Sequence, residues 1–109
     1  RQELNCLVLG LTFKENCPDT RNSKVFDLVE ELNKNKIKTH VYDPWVTNKG
    51  FSNLKLIEQD NLYDIKYDII ILSVSHTEFL KINYEKITKK DHIIFDIKNF
   101  LGNKATHKL

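Results

Sequence analysis

Leu4-Asn5-Cys6-Leu7-Val8-Leu9-Gly10-Leu11 (residues 4–11, LNCLVLGL) is a short, nearly continuous apolar run, and its reading decides the fold. Such a run lacks the alternation of a half-exposed strand and predicts one buried on both faces, as in a parallel sheet. A polar loop follows over residues 12–22, with Pro18 as punctuation. The period then becomes helical: Val25, Phe26, Leu28, Val29 and Leu32 share one broad face. Asn22 or Ser23 stands where an N-cap belongs, and Lys34 and Lys36 crowd the far end, where the helix dipole favours positive charge. A helix is therefore predicted through about Asn35.

Outward from this unit, residues 37–42 (IKTHVY) alternate and predict a second strand, stopped by Asp43-Pro44. Residues 45–53 read as loop and 54–57 as a short strand. Residues 67–74 (YDIIILSV) form the strongest strand signal in the chain. Ser75-His76-Thr77-Glu78 fits the capping-box pattern S-x-x-E, which predicts a short helix or turn there. Residues 83–88 add a helical turn, residues 92–96 (HIIFD) a last strand, and residues 102–109 carry no pattern. Strands alternating with helices imply right-handed crossovers. The predicted class is α/β, a Rossmann-like doubly wound, mostly parallel sheet with helices on both faces. Ligands of such sheets bind at the carboxyl ends of the strands, near the switch point beside the first strand. Residues 12–23, 75–79 and 96–99 are expected to converge on that edge.

The 109 residues suit one domain, expected over residues 1–101 with a tail over 102–109. Hydrophobic residues make up 40% and charged residues 29%, an ordinary globular balance. No apolar run approaches the roughly 18 residues that span a bilayer, and no signal-peptide pattern opens the chain. A cytoplasmic, membrane-free setting is expected. Net charge is +2, and the basic residues are scattered rather than striped, which argues against nucleic acid as a partner. Cys6 and Cys17 make no disulfide framework. The chain starts at Arg1 and lacks Met, which predicts a fragment of a longer polypeptide.

Chemistry concentrates in the stretch from Gly10 to Ser23 (GLTFKENCPDTRNS), a donor-rich loop leading into a helix N-terminus. Free N–H groups and a partial positive charge suit a phosphate or carboxylate there. Lys14 and Arg21 add full charges, and Arg21 could grip an oxyanion with two hydrogen bonds. Equally, Asp19 and Arg21 could pair with each other and pin the loop. The G-x-G-x-x-G fingerprint of dinucleotide binding is missing, because Thr12 and Glu15 stand where its later glycines belong. Asp43 mimics the acidic residue that holds a ribose, but before Pro44 it reads more simply as a turn residue. Cys17 to Arg21 is too short for a phosphatase-type loop, and no His/Cys/Asp spacing resembles a metal site. His40, His92 and His107 read as surface or strand residues, and His76 falls inside the capping pattern. Lys98, at the end of the last strand, could reach a phosphate as a point charge.

The long loop, with Val41-Tyr42-Asp43-Pro44 and Phe95-Asp96-Ile97-Lys98, resembles the C-terminal domain of the UDP-glucose/GDP-mannose dehydrogenase family. It looks most like the branch that oxidises UDP-N-acetylhexosamines for surface polysaccharides such as capsule. The resemblance covers almost the whole chain and weakens after Leu101.

The resemblance implies an NAD-dependent, four-electron oxidation at the sugar C6 through a cysteine thioester. NAD and the catalytic cysteine would belong to parts outside this chain, so no catalytic residue is assigned here and the fragment should bind without catalysing. Implied partners are the UDP-sugar, the rest of the polypeptide and a second copy in a homodimer or larger assembly. By position, Phe13 and Lys14 match residues that touch the nucleotide sugar. Lys98 sits where many members carry a contacting arginine. Asp19, Arg21 and Ser23 match positions that hold the loop. A reading from another class remains beside this one, a non-catalytic α/β module that docks a protein partner.

Overall fold

The computed structural model describes residues 3–21, 23–46, 50–51 and 53–108. Strands β1 (Leu4–Leu9), β2 (Ile37–Tyr42), β3 (Tyr67–Leu72), β4 (Thr88–Asp96) and β5 (His107–Lys108) build one sheet in the order β2-β1-β3-β4-β5. Every pairing between them is parallel. The doubly wound expectation therefore holds, with its switch point between β1 and β3.

Strand β1 lies inside the sheet, between β2 and β3, and its side chains are apolar on both faces. Cys6, Val8 and Leu11 pack with Val25 and Val29 under the only α-helix among the described residues, α1 (Val25–Lys34). Leu7 and Leu9 point the other way, into a layer with Ile70, Leu72, Phe79 and Tyr84. That second face is covered by short 3-10 helices, including Thr77–Lys81 and Tyr84–Lys86, rather than by long α-helices. Cys6 is wholly buried, and burial pushes its thiol up to about 12, which removes it from thiolate chemistry.

Helix α1 opens one residue later than expected. Lys24 holds the N-cap position, while the Ser23 hydroxyl accepts the Val25 N–H at 3.2 Å. Asn22, the other predicted cap, lies outside the described residues. The helix ends where Lys36 turns into the left-handed region (φ 63°) and its N–H reaches the Asn33 carbonyl.

Strands β1 and β3 each stop short of their predicted ends. After Leu9 the chain turns through Gly10 (φ 106°), and the amides of Ser73 and Val74 both fold onto the Leu9 carbonyl. The short strand expected over residues 54–57 shrinks to a single parallel bridge, Leu56 with Val41. Its two backbone bonds, Val41 N–H to Lys55 O and Ile57 N–H to Val41 O, still cover the outer edge of β2. Strand β4 begins earlier than predicted, at Thr88 opposite Tyr67, and its register with β3 slips between Tyr67 and Ile69. Residues 102–108, which show no pattern in sequence, contribute a 3-10 turn at Gly102–Lys104 and the edge strand β5. No helix among the described residues is long and apolar enough to cross a membrane.

Candidate functional site

The site is built around the glycine that ends β1. A Cβ on Gly10 would lie 2.6 Å from Val74 Cβ and 2.8 Å from Val74 N, so only glycine lets β1 and the β3 exit approach so closely. Ser73 locks the same junction by donating its hydroxyl to the Gly10 carbonyl at 2.8 Å.

The next turn is organised by Asp43, which is 2% exposed. Its Oδ2 accepts the backbone N–H groups of Leu11 (2.7 Å) and Thr12 (3.0 Å), and its Oδ1 accepts that of Trp45 (2.8 Å). His76 Nε2 lies 3.0 Å from the same Oδ2. Burial by itself raises the pKa of this carboxyl. The hydrogen bonds from His76 and from the three amides outweigh it and hold Asp43 below the ordinary carboxylate range.

His76 is fully buried, and both of its ring nitrogens are engaged. Nδ1 accepts the Asn16 N–H at 2.8 Å, which leaves Nε2 as the donor of the neutral ring toward Asp43 and Thr12 Oγ1 (3.0 Å). The Thr12 hydroxyl in turn donates to the Lys14 carbonyl at 3.0 Å. Asn16 takes a left-handed conformation (φ 53°), and its side-chain oxygen accepts the Thr77 N–H at 3.2 Å. Trp45 stacks on His76 at a centroid distance of 6.0 Å and donates its indole N–H to Glu78 at 3.0 Å.

The capping-box reading of residues 75–78 is thereby corrected. His76, not Ser75, stands at the N-cap of a 3-10 turn without any side-chain cap bond. Glu78 is drawn away to the indole instead. The pattern hid the one buried histidine among the described residues. Sequence reading also left Asp43 as a turn residue, and it is both a turn residue and the anchor of the loop. The signal available in sequence lay in their positions, one and two residues past the predicted ends of the strands over residues 37–42 and 67–74.

Beyond the clamp, the loop closes on itself. The Phe13 N–H donates to the Asp19 carbonyl at 2.8 Å. Arg21 grips the Asp19 carboxylate with Nε (3.0 Å) and Nη2 (2.9 Å), and its backbone N–H adds a third bond at 2.9 Å. The Arg21 side-chain bond, followed by its backbone N–H, holds the Asp19 carboxyl down to about 2. Arg21 thus spends its fork within the loop.

Between this loop, α1 and the exits of β3 and β4 lies a cavity of about 450 Å³. Phe13 (50% exposed), Ser23 and Lys98 line it, together with Lys24, Ser73 and Ile97. The Lys98 backbone is fixed by its N–H to Asp96 Oδ1 at 3.1 Å. Lys14 is exposed on the same loop, next to Phe13 but off the cavity wall. Asp19 and Arg21 also stand off it. Lys24 and Ser73 were not singled out in sequence, because nothing in their neighbours distinguishes them from a solvated lysine and a strand-end serine. The wall offers an aromatic ring, aliphatic carbons, two ammonium groups and the start of α1. The two cations and the start of α1 suit holding an anion with an attached ring. A larger cleft of about 690 Å³ lies away from the switch point, between residues 80–85 and the outer part of β4, near His92 and Thr106.

Two features bear on dinucleotide binding at this edge. The glycines that would let a pyrophosphate approach are replaced, and the Asp43 carboxylate that would hold a ribose is buried and saturated. Among the described residues no group of His, Cys, Asp and Glu could hold a metal ion.

Known proteins resemble this chain in sequence and in fold. UDP-N-acetyl-D-glucosamine 6-dehydrogenase of Pseudomonas aeruginosa is 41% identical over 99 residues, covering 87% of this chain and 24% of that protein. Protein CapL of Staphylococcus aureus is 38% identical over 101 residues, 88% of this chain and 23% of its own. This chain thus spans about a quarter of the length of the curated relatives it matches. The solved UDP-N-acetyl-mannosamine dehydrogenase Cap5O of S. aureus superposes with a TM-score of 0.72 at 30% identity, over 99% of this chain and 26% of that one. The family model described as the UDP binding domain of the UDP-glucose/GDP-mannose dehydrogenase family matches residues 7–103. With that match over most of its length, the chain belongs to the UDP-glucose/GDP-mannose dehydrogenase family as a UDP-binding domain.

Proposed function

We propose that this chain is the nucleotide-sugar-binding part of an NAD-dependent UDP-sugar 6-dehydrogenase, acting in the cytoplasm on a UDP-N-acetylhexosamine to supply uronic acids for a surface polysaccharide. The observation that carries the reading is the switch-point cavity, where Phe13 offers a ring to stack on and Lys98 a cation for phosphate. Lys14 closes on the ligand from the exposed loop beside it. The saturated Asp43 and the absent glycines support a division of labour in which NAD and the reacting cysteine are held by other parts of the polypeptide. By itself the chain binds and does not catalyse. Asp19, Arg21 and Ser23 serve by shaping the loop. The full enzyme works as a homodimer or larger assembly. The names of relatives, several of them UDP-sugar dehydrogenases, support the substrate class.

Amide chemical shifts of this chain recorded during titration with UDP, and separately with NAD, test the reading. UDP is expected to move the amides of Phe13, Lys14, Ser23 and Lys98, with NAD moving none of them. Movement by NAD alone would overturn it.

A further inference from the structure

His76 belongs to no strand or α-helix, faces away from the solvent and takes no part in the cavity wall, yet it is the hub of the loop's polar contacts. It bonds on one side to the carboxylate that anchors residues 11 and 12, and on the other to the Asn16 amide that closes the same loop. Between those two fixed points stand Phe13 and Lys14, both exposed. A short loop held at both ends has few conformations to lose on meeting a ligand, and that saving appears as affinity. We propose that His76 is a positioning residue. Braced by Asp43 and stacked under Trp45, it fixes the loop of residues 12–16 in the conformation that presents Phe13 and Lys14 to the nucleotide. This inference rests on the UDP-binding reading for its ligand, but the ordering of the loop can be measured without one.

The two ring nitrogens can be imitated separately. Asparagine places its amide oxygen near the Nδ1 position, where it can accept the Asn16 N–H. Glutamine reaches the Nε2 position, where it can donate to Asp43 but leaves Asn16 unbonded. His76→Asn and His76→Gln in this chain should therefore diverge. In the glutamine variant, exchange of the Asn16 amide is expected to speed up about tenfold, and the Kd for UDP to rise about tenfold, because a loop no longer held costs about 1.4 kcal/mol to order. The asparagine variant should keep Asn16 protected and stay within about threefold of the parent Kd, a factor worth well under 1.4 kcal/mol. A merely structural role would lower the urea midpoints of both variants and leave the affinity of the folded fraction alike in the two, and that result overturns the proposal.

The unmodified chain supplies a test that survives if neither variant folds. Its Asn16 amide should exchange about tenfold or more slowly than an open loop amide, because its N–H is held by the buried His76 ring. Unprotected exchange there overturns the clamp. If the unmodified chain ignores UDP while Asn16 is protected and the variants separate in exchange, the nucleotide reading fails and the clamp stands.

Discussion

Nε2 of His76 and Oδ2 of Asp43 lie 3.0 Å apart with both side chains wholly shielded from solvent. This contact ties the exit of β3 to the exit of β2, across β1, and the loop that follows β1 hangs from it. Asp43 binds a proton less readily in the folded chain than in the unfolded one. Its contribution to stability is therefore complete above the unfolded value of about 3.9 and is lost as pH falls through the lower folded value.

Asp43→Asn should accordingly cost about 1–3 kcal/mol at neutral pH, since an amide leaves at least one of the buried donors without an acceptor. It should also make the loss of stability below about pH 4 shallower. Part of the acid slope will remain, because Asp19 and Asp68 are lowered as well. Urea unfolding of both proteins at neutral and acid pH checks this, and parallel curves across the whole range would show that Asp43 is not a linked group.

Gly10→Ala is expected to destabilise the chain by about 2 kcal/mol or more, from a positive φ alone and before any clash is counted. The added methyl would meet both the side chain and the amide nitrogen of Val74. Pairing it with Val74→Ala relieves only the Cγ2 contact, so the double variant should recover part of the loss and not all of it. Denaturant midpoints of the single and double variants decide the point, and full recovery would mean that the backbone conformation costs nothing.

These two residues mark how far the sequence could be read. Strands β1 and β3 were legible because unbroken apolar runs have few other homes, and α1 because Val25 and Val29 repeat at helical spacing. Strand ends were less legible, since Leu11 and Val74 are as apolar as the strands before them. What stops the ladders is Gly10 and the doubled amide contact at Leu9, which are features of three dimensions. Phe13 and Lys98 were placed near one another by topology alone. His76 escaped because its partners come from two segments distant in sequence, the loop of residues 12–16 and Asp43, and a local pattern, S-x-x-E, offered a simpler account of it.

Arg21→Ala should leave the urea midpoint almost unchanged, because the Asp19–Arg21 pair is open to water and such pairs contribute little. The Asp19 carboxyl should nevertheless titrate closer to the ordinary value of about 3.9 once the guanidinium is gone. Carboxyl carbon shifts followed against pH would report it. A carboxyl that stays near its present value would mean that the turn's own amides, not the arginine, hold it down.

Lys14 and Lys98 approach the proposed nucleotide from differently supported backbones, and their substitutions should separate accordingly. Lys14 is exposed on the loop beside the cavity, so Lys14→Ala should leave the melting temperature unmoved while costing about 1.5–3 kcal/mol of UDP affinity as the loss of the one charge-assisted bond proposed for it. Lys98 lines the cavity itself, on a turn fixed by Asp96 and by Asn99 in the left-handed region (φ 55°). There a guanidinium could meet phosphate with two parallel bonds where the ammonium offers a point charge. Lys98→Arg should therefore hold or tighten UDP binding while Lys98→Ala weakens it, both read by calorimetric titration. An arginine variant that binds as poorly as the alanine one would place the phosphates away from the β4 exit and move the ligand toward Lys24 at the start of α1.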